Sequence, residues 1–165
     1  MSLSEVSLLE FTKLAEEHLD EVMAIEVEAY PESWSIGMFR DEIRSARSHF
    51  YVAFLSGVLV GYGGFWLVLD EVHITSVTVR DQYRRRGFGR RIALHLLRKA
   101  VELDARRAVL EVRASNLRAQ ALYTTLGFLQ VGLRRGYYAK TNEDAVIMML
   151  ELGPAWSAGR LYGEA

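Results

Sequence analysis

No charged side chain occurs between Phe50 and Leu69, and that stretch limits the possible folds more than any other part of the chain. Its length suits a membrane-spanning helix. Its composition does not, because Ser56-Gly57 interrupts it, Gly61, Gly63 and Gly64 weaken any helix, and the remainder is rich in Val, Tyr, Phe and Trp, which favour strands. The stretch therefore reads as a β-hairpin at about 50–55 and 58–68, and no membrane association is expected.

Apolar residues recur at helical spacing before the hairpin, Leu19, Val22, Met23 and Ile25 within 14–29 and Met38, Phe39 and Ile43 within 35–46, with Pro31 separating the two segments. After it, Val72, Ile74, Val77 and Val79 mark a strand near 71–80. A helix over 88–104 would bury Ile92, Leu96 and Ala100, flanked by Ala93, Leu97 and Val101, and expose Arg91, His95, Arg98 and Glu102. A strand at 107–113, a helix at 116–126 ended by Gly127, and strands near 128–135 and 145–151 follow. Strand, helix and strand across 71–113 imply a right-handed crossover. The expected fold is α/β (α+β), a mixed, mainly antiparallel central sheet of about seven strands with helices on both faces. Residues 1–152 are expected to form one domain, followed by a tail, 153–165, that packs on it, pairs with a second subunit or stays in solvent.

Half of the 165 residues are hydrophobic and a quarter charged, as in an ordinary globular domain. The absence of cysteine excludes a thiol nucleophile, a thiolate metal site and any disulfide. His18, His49, His73 and His95 lack metal-ligand spacing, so no metal is expected. No basic segment precedes an apolar run at the N-terminus, so a signal peptide is not expected and the cytoplasm is the expected location. The net charge of −1 conceals an imbalance: residues 1–71 carry 13 acidic and 4 basic side chains, residues 72–165 carry 8 and 16. Either this is a chance distribution of solvated faces, or the basic half holds a polyphosphate while the acidic half attracts a cation.

The basic half contains a loop suited to phosphate. Arg84, Arg85 and Arg86 run into Gly87-Phe88-Gly89 and then Arg90 and Arg91 at the start of a helical pattern. Glycines let an anion approach the backbone, and a helix start offers unpaired N–H groups and the positive end of its dipole. A P-loop string is absent, and Ile92 stands where a dinucleotide fingerprint needs its third glycine. What remains is R-x-x-G-x-G on Arg84, Gly87 and Gly89.

Two further residues have chemical potential. Strand alternation places Val109, Glu111 and Arg113 on one face of 107–113. A mid-strand carboxylate is costly unless paired or used, so Glu111 is either an ion-pair partner of Arg113 or a general base whose pKa burial would raise. Tyr123, in the next helix, is either core packing or a proton donor.

These motifs occur in the order found in a known family. The R-x-x-G-x-G loop resembles the pyrophosphate loop of the GNAT acyl-CoA-dependent N-acetyltransferases. LEVRASNLRAQALYTTLGF, from Leu110 to Phe128, and RRGYYAKTNEDAVIM, from Arg134 to Met148, resemble that superfamily's N-terminal acetyltransferases, most closely the ribosomal-protein-alanine (RimI) type. The likeness extends from the Pro31–Ser35 segment, with Trp34-Ser35, to about residue 151.

The resemblance implies acetyl-CoA as cosubstrate and a protein N-terminus as acceptor, the leading candidate being the alanine terminus of the eighteenth small-subunit ribosomal protein. It implies Glu111 as general base through water and Tyr123 as general acid. It further implies the backbone of Val77, Thr78 and Val79 on the acetyl and pantetheine end, with an N–H near Val79 polarising the thioester. Arg84 and the segment Arg85, Arg86, Gly87, Phe88, Gly89 and Arg90 would bind the pyrophosphate, and Asn116 the pantetheine arm. Tyr30, Trp34, Tyr137 and Tyr138 would frame the peptide entrance.

The chemistry is coherent without the family: an α-ammonium has a pKa of about 7.7–8.0 against about 10.4 for lysine, so a modest base uncovers the terminal amine more readily. Gly136 and Ala139 replace the Asn and Pro that often flank the paired tyrosines, which bears on substrate identity more than on the reaction. Other protein N-termini, lysine or a small amine are alternative acceptors. A nucleic-acid-binding module using the same arginines and a CoA-binding regulator without turnover are the readings from other classes; direct nucleic-acid binding is not expected at a net charge of −1. A monomer and a homodimer both remain open.

Overall fold

The computed structural model describes residues 9–153 and Trp156. Its elements are β1 (Leu9–Lys13), a 3-10 turn (Glu16–His18), α1 (Leu19–Ala29), α2 (Ile36–Arg44), β2 (Ser48–Leu55), β3 (Val58–Val68), β4 (Glu71–Val79), a 3-10 turn (Asp81–Tyr83), α3 (Phe88–Glu102), β5 (Arg107–Arg113), α4 (Leu117–Thr125), β6 (Leu129–Tyr138) and β7 (Glu143–Glu151). The charge-free stretch is the β2–β3 hairpin, turning at Ser56 and Gly57, both with positive φ. No helix among the described residues is long and apolar enough to cross a membrane.

Seven strands form one sheet in the order β1-β2-β3-β4-β5-β7-β6. The pairs β1–β2, β2–β3, β5–β7 and β7–β6 are antiparallel, and β4–β5 is parallel. The sheet is thus mixed and mainly antiparallel, as expected. The chain divides into two compact units, one of residues 9–66 and 76–96, the other of residues 67–75 and 97–153 with Trp156. β4 and α3 contribute residues to both.

In the first unit the hairpin is covered on both faces. Leu19, Val22 and Ile25 of α1 and Phe39 of α2 pack with Phe50, Val52, Leu59 and Tyr62. Opposite them, Phe88 and Ile92 of α3 pack with Leu9, Ala53 and Val60. Truncating a ring as buried as Phe39 costs about 3–5 kcal/mol. The hairpin glycines permit this packing: a Cβ on Gly61 would lie 2.5 Å from the Thr78 carbonyl oxygen and 2.9 Å from Ile92 Cδ1. Helical periodicity over-predicted the core in α2, since Met38 and Ile43 are exposed and only Phe39 is buried. His95 belongs with the aromatic packing and not with a polar face, because its ring stacks on Phe11 at 4.0 Å and meets Tyr51 edge-on at 4.7 Å.

In the second unit Ala108, Leu110 and Val112 are buried while Val109, Glu111 and Arg113 are half-buried, the alternation that the strand period predicts. β6 continues to Tyr138, so both tyrosines of the pair lie within a strand. The tail lies outside the described residues apart from Gly153 and Trp156. Trp156 is buried, and its indole N–H donates to the Leu126 carbonyl at 3.1 Å.

Candidate active site

The first unit carries the Arg84–Arg90 loop. β4 ends at Val79, the Asp81–Tyr83 turn follows, and the backbone adopts positive φ at Arg85 (64°) and Gly87 (81°) before α3 begins. A non-glycine residue in the left-handed region is costly and marks a shaped loop. Buried Phe88 anchors the helix start, and the space where Gly87 would carry a Cβ is open. The first helical bond runs from Arg91 N–H to the Gly87 carbonyl; amides ahead of it have no acceptor within the helix. Of the five arginines, Arg84 donates to the Val79 carbonyl at 3.3 Å and lies 3.5 Å from Asp81, and Arg86 lies over the Tyr83 ring. An open glycine, first-turn amides and flanking guanidiniums together suit a pyrophosphate.

Next to the loop, Val77 and Val79 pack with the α3-side cluster. Thr78 is buried on the opposite face, its Oγ1 2.7 Å from the Tyr30 hydroxyl. Trp34 packs between Phe39 and Phe50. Tyr30 and Thr78 are therefore brought together, while Trp34 belongs to the aromatic cluster of the same unit.

Glu111 organises the second unit. Its side chain is 11% exposed. One oxygen, Oε2, lies 2.5 Å from His73 Nε2, and the other, Oε1, lies 3.6 Å from Arg134. His73 reaches it because the parallel β4–β5 register pairs His73 with Val109 and ends there, placing Glu111 two residues further along the same face. Arg134 in turn lies over the Tyr137 ring at 4.8 Å.

Two expectations about Glu111 are corrected. Its ion-pair partner is Arg134 and not Arg113, which bonds Glu143 and stacks over Tyr138 at 3.9 Å. Its pKa is lowered, not raised: desolvation pushes it up, but the His73 hydrogen bond and charge together with the Arg134 charge outweigh that. Tyr137 is raised, by burial first and the Glu111 charge second.

Asn116 caps α4, its side-chain oxygen accepting from Ala119 N–H at 3.0 Å. Tyr123 is buried and meets Phe128 edge-on. Tyr137 and Tyr138 contact each other at 5.0 Å and carry one arginine each.

The model of the acetyltransferase (GNAT) family matches residues 19–128, from the start of α1 to the end of the Tyr123 helix and its glycine turn. The chain belongs to this family. It is an N-acetyltransferase, and curated relatives refine the comparison. It is 35% identical over 130 residues to the [ribosomal protein bS18]-alanine N-acetyltransferase of Escherichia coli (strain K12), covering 78% of this chain and 87% of the relative. It is 38% identical over 125 residues to the N-alpha-acetyltransferase RimI of Mycobacterium tuberculosis, covering 73% and 77%. Among solved structures, the ribosomal-protein-S18-alanine N-acetyltransferase from Escherichia coli superposes with a TM-score of 0.81 at 31% identity, over 88% of this chain and 94% of that one.

The acetyltransferase thus holds an ionised carboxylate between an imidazole and a guanidinium in one unit and a phosphate-shaped loop in the other. Two residues, one in each unit, were not singled out from sequence. His73 was set aside with the other histidines, although its place on the strand that opens the crossover was a signal. Glu26 was passed over in the α1 pattern, although it lies four residues after buried Val22. It is 3% exposed.

Proposed function

We propose that this acetyltransferase transfers acetyl from acetyl-CoA to the α-amine of a protein N-terminus, with the alanine terminus of ribosomal protein bS18 as the leading acceptor. The observation that carries the acceptor is the 35% identity to the Escherichia coli bS18-alanine enzyme over 78% of the chain. The loop at Arg84–Arg90 is assigned to the pyrophosphate, Val77–Val79 to the thioester end and Asn116 to the pantetheine arm. Tyr30, Trp34, Tyr137 and Tyr138 are assigned to the peptide.

The chemistry needs no covalent enzyme intermediate. An α-ammonium with a pKa of about 7.7–8.0 has a substantial neutral fraction near neutral pH. Glu111, kept ionised by His73 and Arg134, takes up the proton through water and passes it on. The amine nitrogen bonds to the thioester carbon, the carbon–sulfur bond breaks, and Tyr123 protonates the departing thiolate. Activity would take place in the cytoplasm, where the acceptor is made.

The test is incubation of the purified chain with acetyl-CoA and three versions of the bS18 N-terminal peptide: free, N-terminally blocked, and free with an added lysine. Mass spectrometry should find one acetyl group on the free α-amine and none on the blocked peptide. Acetyl on lysine alone would overturn the acceptor.

A further inference from the structure

A chain of hydroxyls in the first unit ends on a buried carboxylate. Glu26, on α1, is 3% exposed, and among the described residues it has no ion pair. Its Oε2 accepts from the Trp34 backbone N–H at 3.0 Å and its Oε1 from the Tyr62 hydroxyl at 2.5 Å. Its own carbonyl accepts from Tyr30 N–H at 3.1 Å, so one residue holds both ends of the 30–34 segment. Fully buried Tyr62 is hydrogen-bonded to Thr78 as well, and Thr78 to the Tyr30 hydroxyl at 2.7 Å.

With Glu26 ionised, proton counting fixes the direction of each of these bonds. A carboxylate only accepts, so the Tyr62 proton points to Glu26. Tyr62 then has only its lone pairs left for Thr78, and Thr78 must donate to it. With the Thr78 proton used, Tyr30 must donate to Thr78. Any further polar partner of the Tyr30 oxygen can therefore only be a donor.

We infer that Glu26 is a positioning residue that, acting through Tyr62 and Thr78, commits the Tyr30 oxygen to accept a hydrogen bond from the α-amino group of the acceptor peptide. This rests on the proposed function, which puts Tyr30 at the peptide entrance. It explains why a carboxylate stands where an apolar residue would cost less: the carboxylate sets polarity along a cooperative chain. It also gives the site a basis for preferring amines, which donate, over groups of similar shape that only accept.

The substitution Glu26→Gln tests the polarity while preserving shape. Its amide oxygen meets the Trp34 N–H, its NH2 donates to Tyr62, and every hydroxyl reverses, leaving Tyr30 to present a proton to the amine. The enzyme should be assayed with acetyl-CoA and the bS18 N-terminal peptide as wild type, Glu26→Gln, Tyr30→Phe and the double variant. The peptide KM of Glu26→Gln should rise roughly tenfold, the scale of one mispaired hydrogen bond, with the acetyl-CoA KM within about twofold. In the Tyr30→Phe background, Glu26→Gln should add nothing. Thr78→Val, which cuts the chain without touching the carboxylate, should raise the peptide KM and likewise make Glu26→Gln silent; it carries the test if Glu26→Gln does not fold. Equal effects of Glu26→Gln with and without Tyr30 would reveal a merely structural role and overturn the inference, as would an unchanged peptide KM. A wild-type enzyme that acetylates no peptide terminus would overturn the proposed function, and the inference with it.

Discussion

Each of the two units withdraws a glutamate from water, and each treats it differently. Among the described residues Glu26, in the first, meets only neutral donors, the Tyr62 hydroxyl and the Trp34 amide, and its pKa is raised because desolvation outweighs those bonds. Glu111, in the second, is also desolvated, but His73 and Arg134 more than compensate and its pKa is lowered. Burial alone therefore does not determine the charge behaviour of a carboxylate; the nature of its partners does. A carboxylate among neutral donors orients hydroxyl groups. One among cations stays ionised over a wide pH range and can accept a proton repeatedly.

The comparison breaks most completely at Glu111. Glu111→Gln should lower kcat by roughly 10²–10⁴ if the carboxylate handles the proton, while calorimetry should find acetyl-CoA binding retained, since Glu111 is not among the residues proposed to hold the cofactor. A comparable loss of cofactor affinity would remove Glu111 from the chemistry. The next largest effect is on stability at the far end of the Glu26 chain. Gly61→Ala would set a methyl group 2.5 Å from the Thr78 carbonyl oxygen, a backbone atom that cannot rotate away. It should cost about 1–3 kcal/mol, read as a fall in Tm; an unchanged Tm would mean that β3 and β4 separate more freely than their packing implies.

His73→Gln sharpens the contrast without removing the carboxylate. It deletes the leading influence that lowers the Glu111 pKa and leaves desolvation in place, so the Glu111 titration should move up, toward the behaviour of Glu26. Carboxyl NMR titration measures this directly, and the acid limb of kcat/KM should move with it. An unmoved titration would assign the lowering to Arg134. Stability should follow opposite signs around the ordinary value of 4.5. Glu111, depressed, stabilises the fold above that value, and the contribution is lost as pH falls through its folded pKa. Glu26, elevated, weakens the fold as pH rises from 4.5 through its folded pKa. The Tm difference between Glu26→Gln and wild type should become more favourable to the variant as pH rises, and that of Glu111→Gln less favourable.

Much of this was legible in sequence where the signal is local. Period-two alternation assigned the faces of β5 correctly, because Ala108, Leu110 and Val112 needed one buried side. The glycines of 50–69 marked a hairpin because a helix tolerates them poorly. What escaped was non-local. His73 meets Glu111 through a parallel register set by a crossover, which no spacing encodes. Arg113 looked like the partner because it is two residues away on the same face, yet Glu143 from β7 competes for it. Tyr137 and Tyr138 lie past the apolar alternation that defines β6, so the strand reads short. Glu26 escaped because a charge on an apolar stripe reads as an interruption; only the Tyr62 and Trp34 donors, distant in sequence, explain it.

The smallest effect provides the control for the comparison. Glu16 and Arg40 form a well-made pair, with Arg40 Nε and Nη2 each 2.7 Å from Glu16 Oε1, closer than Arg134 is to Glu111. Its Glu16 pKa is lowered, first by the Arg40 hydrogen bond, as the Glu111 pKa is lowered by cations. If short distance were what mattered, Arg40→Ala would rank with the changes around Glu111. The pair stands at the surface, however, where solvent screens it and holding two long side chains in place costs entropy. Arg40→Ala should therefore leave Tm unchanged within error at moderate salt, and any small change should vanish as salt is raised. A clear loss that persists at high salt would mean that the contact braces the start of α1 against α2, and that burial is not what separates functional carboxylates from surface ones in this protein.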